Sequence, residues 1–267
     1  MKADAIKRLE FIDGSYNTMP AANKTSGRVP SLRFYIKLID ILYNLGVAAK
    51  RSGLVNEQFL NTAVGILQAL EGSGVVFEVS GIENVVAAGG PCVYMPNHMS
   101  VLETFVLPGF ICPYNEMTFV IKESLTRYPV FKHIMAAMDT VVVNRVNPRE
   151  DLSVVLTEGA KKLAGGKSMI IFPQSTRSVD FVPKTYNTMG IKLALRAQVP
   201  AIPVAVKSDA WEAGRVLKDF GKIDPSRKVY ISFGRPMRIK NKGAEEHKES
   251  VEFITGMLEK WGANVLR

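Results

Sequence analysis

The stretch Cys92-Val93-Tyr94-Met95-Pro96-Asn97-His98-Met99-Ser100-Val101-Leu102-Glu103 opens as a strand and closes as a helix. Four apolar residues run into a Pro96-Asn97 turn, and Ser100 then stands three residues before Glu103, the spacing of a capping box. The same alternation continues on both sides. Short runs with strand character occur at Val75–Val79, Met117–Ile121, Thr140–Val143, Ser168–Phe172, Ile202–Val206 and Val229–Phe233. Helical periodicity falls between and after them, near 100–110, 128–138, 149–164, 187–197 and 246–262. Strands alternating with helices predict an α/β fold, a layered αβα domain around a mostly parallel mixed sheet of about seven strands. In such a sheet the ligand crevice lies outside the carboxyl ends of the strands.

Upstream the texture differs. Residues 1–30 are polar and rich in Ser, Asn, Thr, Gly and Pro after Phe11, and read as a loosely ordered extension. Residues 31–73 read as a two-helix hairpin, and 74–267 as the α/β domain. The first helix is the longest apolar stretch, Leu32 to Ala49, yet it contains Arg33, Lys37, Asp40 and Asn44 on one stripe. It is too short and too charged to span a bilayer. Two readings stand: a helix lying in a membrane interface, or a core helix with one solvated edge. Lys50 and Arg51 close the stretch and favour the first. Gly53 breaks the helix, and Val55, Phe59, Leu60, Ala63, Val64, Leu67 and Leu70 mark a second one.

A net charge of +9 on 267 residues suits an anionic partner: nucleic acid, a phosphorylated substrate or a lipid surface. The basic residues are scattered and not clustered with aromatics, which argues against nucleic acid. The two cysteines, Cys92 and Cys112, sit in apolar stretches without metal-ligand spacing and read as buried thiols of a reducing compartment. The charged N-terminus carries no apolar segment of the kind that marks a signal peptide. No metal and no bound cofactor are expected.

Three polar constellations follow strands. His98 stands at the mouth of the helix that begins near Ser100, and from there it can fold back on Glu103. Glu103 then either returns a hydrogen bond to the cap or orients the imidazole as a general base. Phe172-Pro173-Gln174-Ser175-Thr176-Arg177-Ser178 ends a strand in hydroxyls and one guanidinium, which makes it either a solvated loop or an anion site. Thr140–Arg145 is another strand ending in Arg. A fourth segment, Val199–Val206, carries Pro200 and Pro203 and reads as an edge or irregular strand shaping a pocket wall.

In this order the four segments resemble the glycerolipid acyltransferase family, whose type member is 1-acylglycerol-3-phosphate acyltransferase. The family is marked by Asn-His and an Asp five residues after the His, by a strand ending in Arg, by Phe-Pro-Glu-Gly-Thr-Arg-Ser, and by a Val-Pro-Ile-Val-Pro-Val-like strand. The resemblance runs from about Pro91 to Val206. It implies that His98 deprotonates the acceptor hydroxyl for attack on an acyl thioester, with Glu103 orienting it. It also implies that Asn97, Arg145, Gln174, Ser175, Thr176, Arg177 and Ser178 bind substrate, the two arginines taking the acceptor's phosphate. The implied co-substrate is acyl-CoA or acyl carrier protein, and the implied acceptor is a lysophospholipid, lysophosphatidate by default. The implied location is peripheral, on the cytoplasmic face of the membrane, docked by the helical hairpin. An aminolipid or saccharolipid acceptor, or a catalytically silent scaffold of the same fold, are the alternatives. Two departures stand out. Glu103 replaces the usual Asp, as the late acyltransferases of lipid A synthesis also allow, and Gln174-Ser175 replaces Glu-Gly. The second substitution carries the expectation of an altered acceptor preference with the chemistry kept.

Overall fold

The computed structural model describes residues 9–19, 29–52, 56–127, 129–214 and 218–266. The expected helix break at Gly53, the position of Val55, the side chain of Arg51 and most of the expected N-terminal extension lie outside the described residues.

Each expected strand is present, as β2 (Phe77–Ser80), β3 (Val93–Pro96), β4 (Met117–Lys122), β5 (Val141–Val143), β6 (Ser168–Ile170), β7 (Ala201–Lys207) and β8 (Val229–Phe233). An eighth, β1 (Tyr16–Asn17), comes from the stretch read as loose extension. The sheet order is β1-β2-β8-β7-β3-β6-β4-β5. β7, β3, β6, β4 and β5 are mutually parallel. β8 pairs antiparallel with β7 and carries β2 parallel to itself, so two directions meet at the β7–β8 seam. His98, Arg145, Gln174 and the end of β7 therefore all emerge at one edge of the parallel block, where its strands end.

The helices are α1 (Pro30–Ser52), α2 (Asn56–Glu71), α3 (Ile82–Ala87), α4 (Leu102–Ile111), α5 (Pro129–Ala137), α6 (Pro148–Ala164), α7 (Met189–Ala197) and α8 (Ala244–Lys260). They cover both sheet faces, as side-chain alternation along β3 requires. Tyr94 joins a core that includes residues of α1, α2, α4 and α5, whereas Val93 and Met95 join a second core with α6, α7 and α8.

β7 is not the edge strand its prolines suggested; it lies between β8 and β3. Proline is accommodated because the antiparallel ladder slips beside it. Ala201 pairs with Met237 but Val204 pairs with Phe233, so three steps on one strand face four on the other. That bulge frees the Pro203 nitrogen from any ladder hydrogen bond. The carbonyl of Pro203 still accepts from the Gly234 N–H at 2.8 Å.

The β1 segment is tied down by a buried carboxylate. Tyr16 and Thr18 both donate to Glu71 at the end of α2, at 2.6 and 2.7 Å, and Thr18 Oγ1 accepts from the Phe77 N–H at 2.7 Å.

On α1 the expected polar stripe is real, but the apolar remainder is split in two. Phe34, Leu38, Leu42 and Leu45 are buried, while Leu32, Ile36, Ile39 and Tyr43 are exposed on the opposite side. Among the described residues no helix is long and apolar enough to cross a membrane. The split predicts unequal stability effects. Phe34→Ala, at a fully buried position, should cost about 3–5 kcal/mol in urea unfolding. Ile36→Ala should stay within about 0.5 kcal/mol.

Candidate active site

β3 ends at Pro96, and the chain is held there by Asn97. Its Nδ2 donates to the Val206 carbonyl at 2.8 Å, and the Val206 N–H donates to its Oδ1 at 2.7 Å. The side chain thus imitates one more ladder step against β7. Asn97, expected to bind substrate, is 2% exposed with both ends of its amide engaged, and these bonds fix the backbone that leads into the following residue.

That residue is His98. Its Nδ1 lies 2.9 Å from Glu103 Oε1, its ring stacks on Phe172 at a centroid distance of 4.0 Å, and its side chain is 15% exposed. The geometry needs His98 outside the helix, because five residues along a regular helix would point the pair roughly 140° apart. Helix α4 starts at Leu102, two residues later than Ser100 suggested, with Val101 at the cap. Ser100 still serves the helix mouth, since its hydroxyl accepts from the Leu102 N–H at 3.0 Å.

Glu103 is completely buried. Oε1 accepts from the N–H groups of Met99 and Ser100, at 2.7 and 2.9 Å, besides its contact with His98. Oε2 accepts from the Ser208 hydroxyl at 2.6 Å and from the Ser100 hydroxyl at 3.0 Å. The cap and the imidazole contact therefore share one carboxylate. Burial pushes its pKa up from the usual 4.5, but His98, Ser208 and the backbone donor outweigh burial, and the net shift is downward. An ionised carboxylate only accepts, so the proton between the pair resides on His98 Nδ1, and Nε2 is the ring nitrogen that Glu103 does not engage.

The loop after β6 closes over this pair. Gln174 is buried, and its Oε1 accepts from the His98 N–H at 2.7 Å. The Ser178 N–H donates to the His98 carbonyl at 3.0 Å. The residue expected to tune acceptor choice thus holds the His98 backbone, through an oxygen that Glu would also offer. Arg145, in a left-handed turn between β5 and α6, donates to the carbonyl of Ser175. Ser175 and Thr176 are exposed. Arg177 pairs with Asp219. Ser208 and Asp219 were not singled out in the sequence. Ser208 follows directly on β7, where the strand-end rule pointed, while the Asp219 segment carries no periodic signal. Among the described residues no cluster of His, Cys, Asp or Glu is placed to hold a metal ion.

Against α4, from Thr104 onward, lies an apolar groove with about 600 Å³ of empty space, part of it open solvent. It is walled by Leu42 and Leu45 of α1, Phe59 of α2, Phe105 of α4, Phe119 of β4 and Met135 of α5, and Thr104 also lines it.

The site is thus a strand-end imidazole on a buried carboxylate, beside an arginine-bearing loop. The family model described as Acyltransferase matches residues 76–207, and the chain belongs to that family. Its curated relatives include proteins named 1-acyl-sn-glycerol-3-phosphate acyltransferase, to which it is similar. Over 133 residues it is 32% identical to 1-acyl-sn-glycerol-3-phosphate acyltransferase of Pseudomonas aeruginosa, covering 50% of each chain. Over 129 residues it is 28% identical to the chloroplastic enzyme BAT2 of Brassica napus, covering 48% of this chain and 36% of that one. The chain thus spans about half, or less, of the length of these curated relatives. The fold matches the crystal structure of the 1-acyl-sn-glycerophosphate (LPA) acyltransferase PlsC from Thermotoga maritima, with a TM-score of 0.68 at 19% identity. That match covers 89% of this chain and 97% of the other.

Two measurements probe the site. A group whose folded pKa is lowered contributes stability above its unfolded value and loses it as pH falls through the folded one. The Glu103 contribution should therefore fade below about pH 4.5. Glu103→Gln should flatten this acid-side loss in urea unfolding followed from about pH 6 to about pH 3; an unchanged slope would contradict the assignment. Gln174→Leu, which removes the acceptor for the His98 N–H, should lower kcat more than it raises KM.

Proposed function

We propose that this protein transfers a fatty acyl group from a thioester donor, acyl-CoA or acyl carrier protein, to the free hydroxyl of a lysophospholipid. Lysophosphatidate is the default acceptor and phosphatidate the product. The observation that carries the reading is the His98–Glu103 pair, which leaves Nε2 free of the carboxylate and lies beside the loop after β6 that bears Arg177 and meets Arg145 of the β5–α6 turn. Nε2 takes the proton as the acceptor oxygen attacks the thioester carbonyl, and it returns that proton to the departing thiolate. Glu103 fixes the tautomer and stabilises the imidazolium between the two steps. The two guanidinium groups would orient the acceptor's phosphate.

The apolar groove would take the acyl chain. Thr104, which lines it, is the neighbour of Glu103, and α1 forms one wall. The exposed stripe of α1 supports docking on a lipid surface with the groove alongside, as a peripheral contact of the hairpin on the cytoplasmic face. The intact His98–Glu103 geometry weighs against a silent scaffold, which has no need to keep a buried carboxylate on an imidazole.

Incubation with acyl-CoA or acyl carrier protein against a panel of lysolipids, read by mass, should yield the diacyl product. Failure with every acceptor and both donors would refute the reading. His98→Ala should reduce kcat by about 10² to 10⁴. Ile36→Gln with Ile39→Gln should weaken sedimentation with anionic vesicles while leaving the urea midpoint in place.

A further inference from the structure

The Arg177 guanidinium, expected to take the acceptor's phosphate, is already occupied: its Nη2 donates to the Asp219 carboxylate. Asp219 belongs to a segment held firmly against α1. Phe220 packs on Tyr35 at a centroid distance of 5.8 Å, the Tyr35 hydroxyl donates to the Gly221 carbonyl at 2.5 Å, and the Ile223 N–H donates to Ser31 Oγ at 3.0 Å. The segment also pairs with itself. Trp211 bridges Ile223, and the Glu212 N–H donates to the Lys222 carbonyl at 2.9 Å. At Gly221 a Cβ would sit 1.8 Å from the Glu212 carbonyl oxygen, so glycine alone fits there. These contacts present Asp219 to Arg177 from an anchored backbone. The ion pair itself is wet, with side chains 28% and 46% exposed, so it is weakly held and open to competition from another anion.

Resting on the reading that this site acylates a lysophospholipid, we propose that Asp219 is a specificity-determining residue. It acts as a built-in anion on Arg177 that admits acceptors with a phosphomonoester and disfavours those with a phosphodiester. A phosphomonoester carries about −1.5 to −2 charges at pH 7 and three acceptor oxygens. It outcompetes a single carboxylate for the guanidinium fork. A phosphodiester carries one charge and two free oxygens, which gives it no advantage over the group it must dislodge. Selectivity here comes from a repulsive element as much as from an attractive one.

The test compares wild type with Asp219→Asn on lysophosphatidate and lysophosphatidylglycerol presented in the same detergent micelles. The expected result is a kcat on lysophosphatidate within about twofold, a lower KM, and a kcat/KM preference for the phosphomonoester that drops by about tenfold. Asp219→Glu, which keeps the charge, should retain the preference. An unchanged preference in Asp219→Asn overturns the proposal. Should wild type turn over neither lysolipid, the acyl-transfer reading fails by itself. Equilibrium binding of the same two micellar lysolipids then decides: a discrimination lost in Asp219→Asn supports the role of Asp219, and an unchanged one refutes it. If Asp219→Asn unfolds early in urea, Asp219→Ser replaces it in every arm.

Discussion

Burying a carboxylate costs several kcal/mol unless donors replace the water it gives up, and the fold meets that condition at Glu103 from three directions. The turn after β3 supplies the Met99 and Ser100 N–H groups, Ser100 adds a hydroxyl, and Ser208 reaches in from the end of β7. His98 completes the set. No single element provides all of these donors, so the set is complete only when the β3 turn, the mouth of α4 and the end of β7 are all in place. Oε2 of Glu103 thereby meets both serine hydroxyls.

How much of this was legible follows from how local each signal is. The central strands β3, β6 and β7 are buried on both faces and read as apolar runs, while β2, β4, β5 and β8 carry β-branched and aromatic residues, so all seven were visible one by one. β1 was not, since two residues carry no period and its partners Glu71 and Phe77 lie far along the chain. The six residues of α3 are likewise too few for a helical period to emerge. Pro203 misled because proline normally excludes a central strand, and the compensating bulge is contributed by residues beyond β8. The same logic divides the site. His98 and Glu103 are five residues apart, and a sequence can suggest that they meet. Asn97 meets Val206, Glu103 meets Ser208, and Arg177 meets Asp219 only through the sheet, so their partners and in part their roles were hidden.

The hairpin shows a subtler gap. A stripe of Arg33, Lys37, Asp40 and Asn44 fixes which side of α1 is polar, but it cannot say how the apolar remainder is apportioned. Packing consumes Phe34, which meets Trp211, together with Leu38, Leu42 and Leu45, and leaves Leu32, Ile36, Ile39 and Tyr43 facing outward. A helix with apolar surface on both sides gains from two environments at once, the core on one side and an apolar exterior on the other.

The double hydrogen bond between Asn97 and Val206 spans 109 residues. Long-range pairings of this kind slow folding, because loop closure must precede the contact. They also impose an order on synthesis. At about 5–20 residues per second, the chain emerges for roughly 5 to 20 s between Asn97 and the partner that locks it. Throughout that interval the outward stripe of α1 is already available, while the imidazole has no fixed backbone and Glu103 lacks its Ser208 donor. Any truncation ahead of β7 would therefore leave the exposed apolar stripe of α1 without the contacts that fix His98 and Glu103.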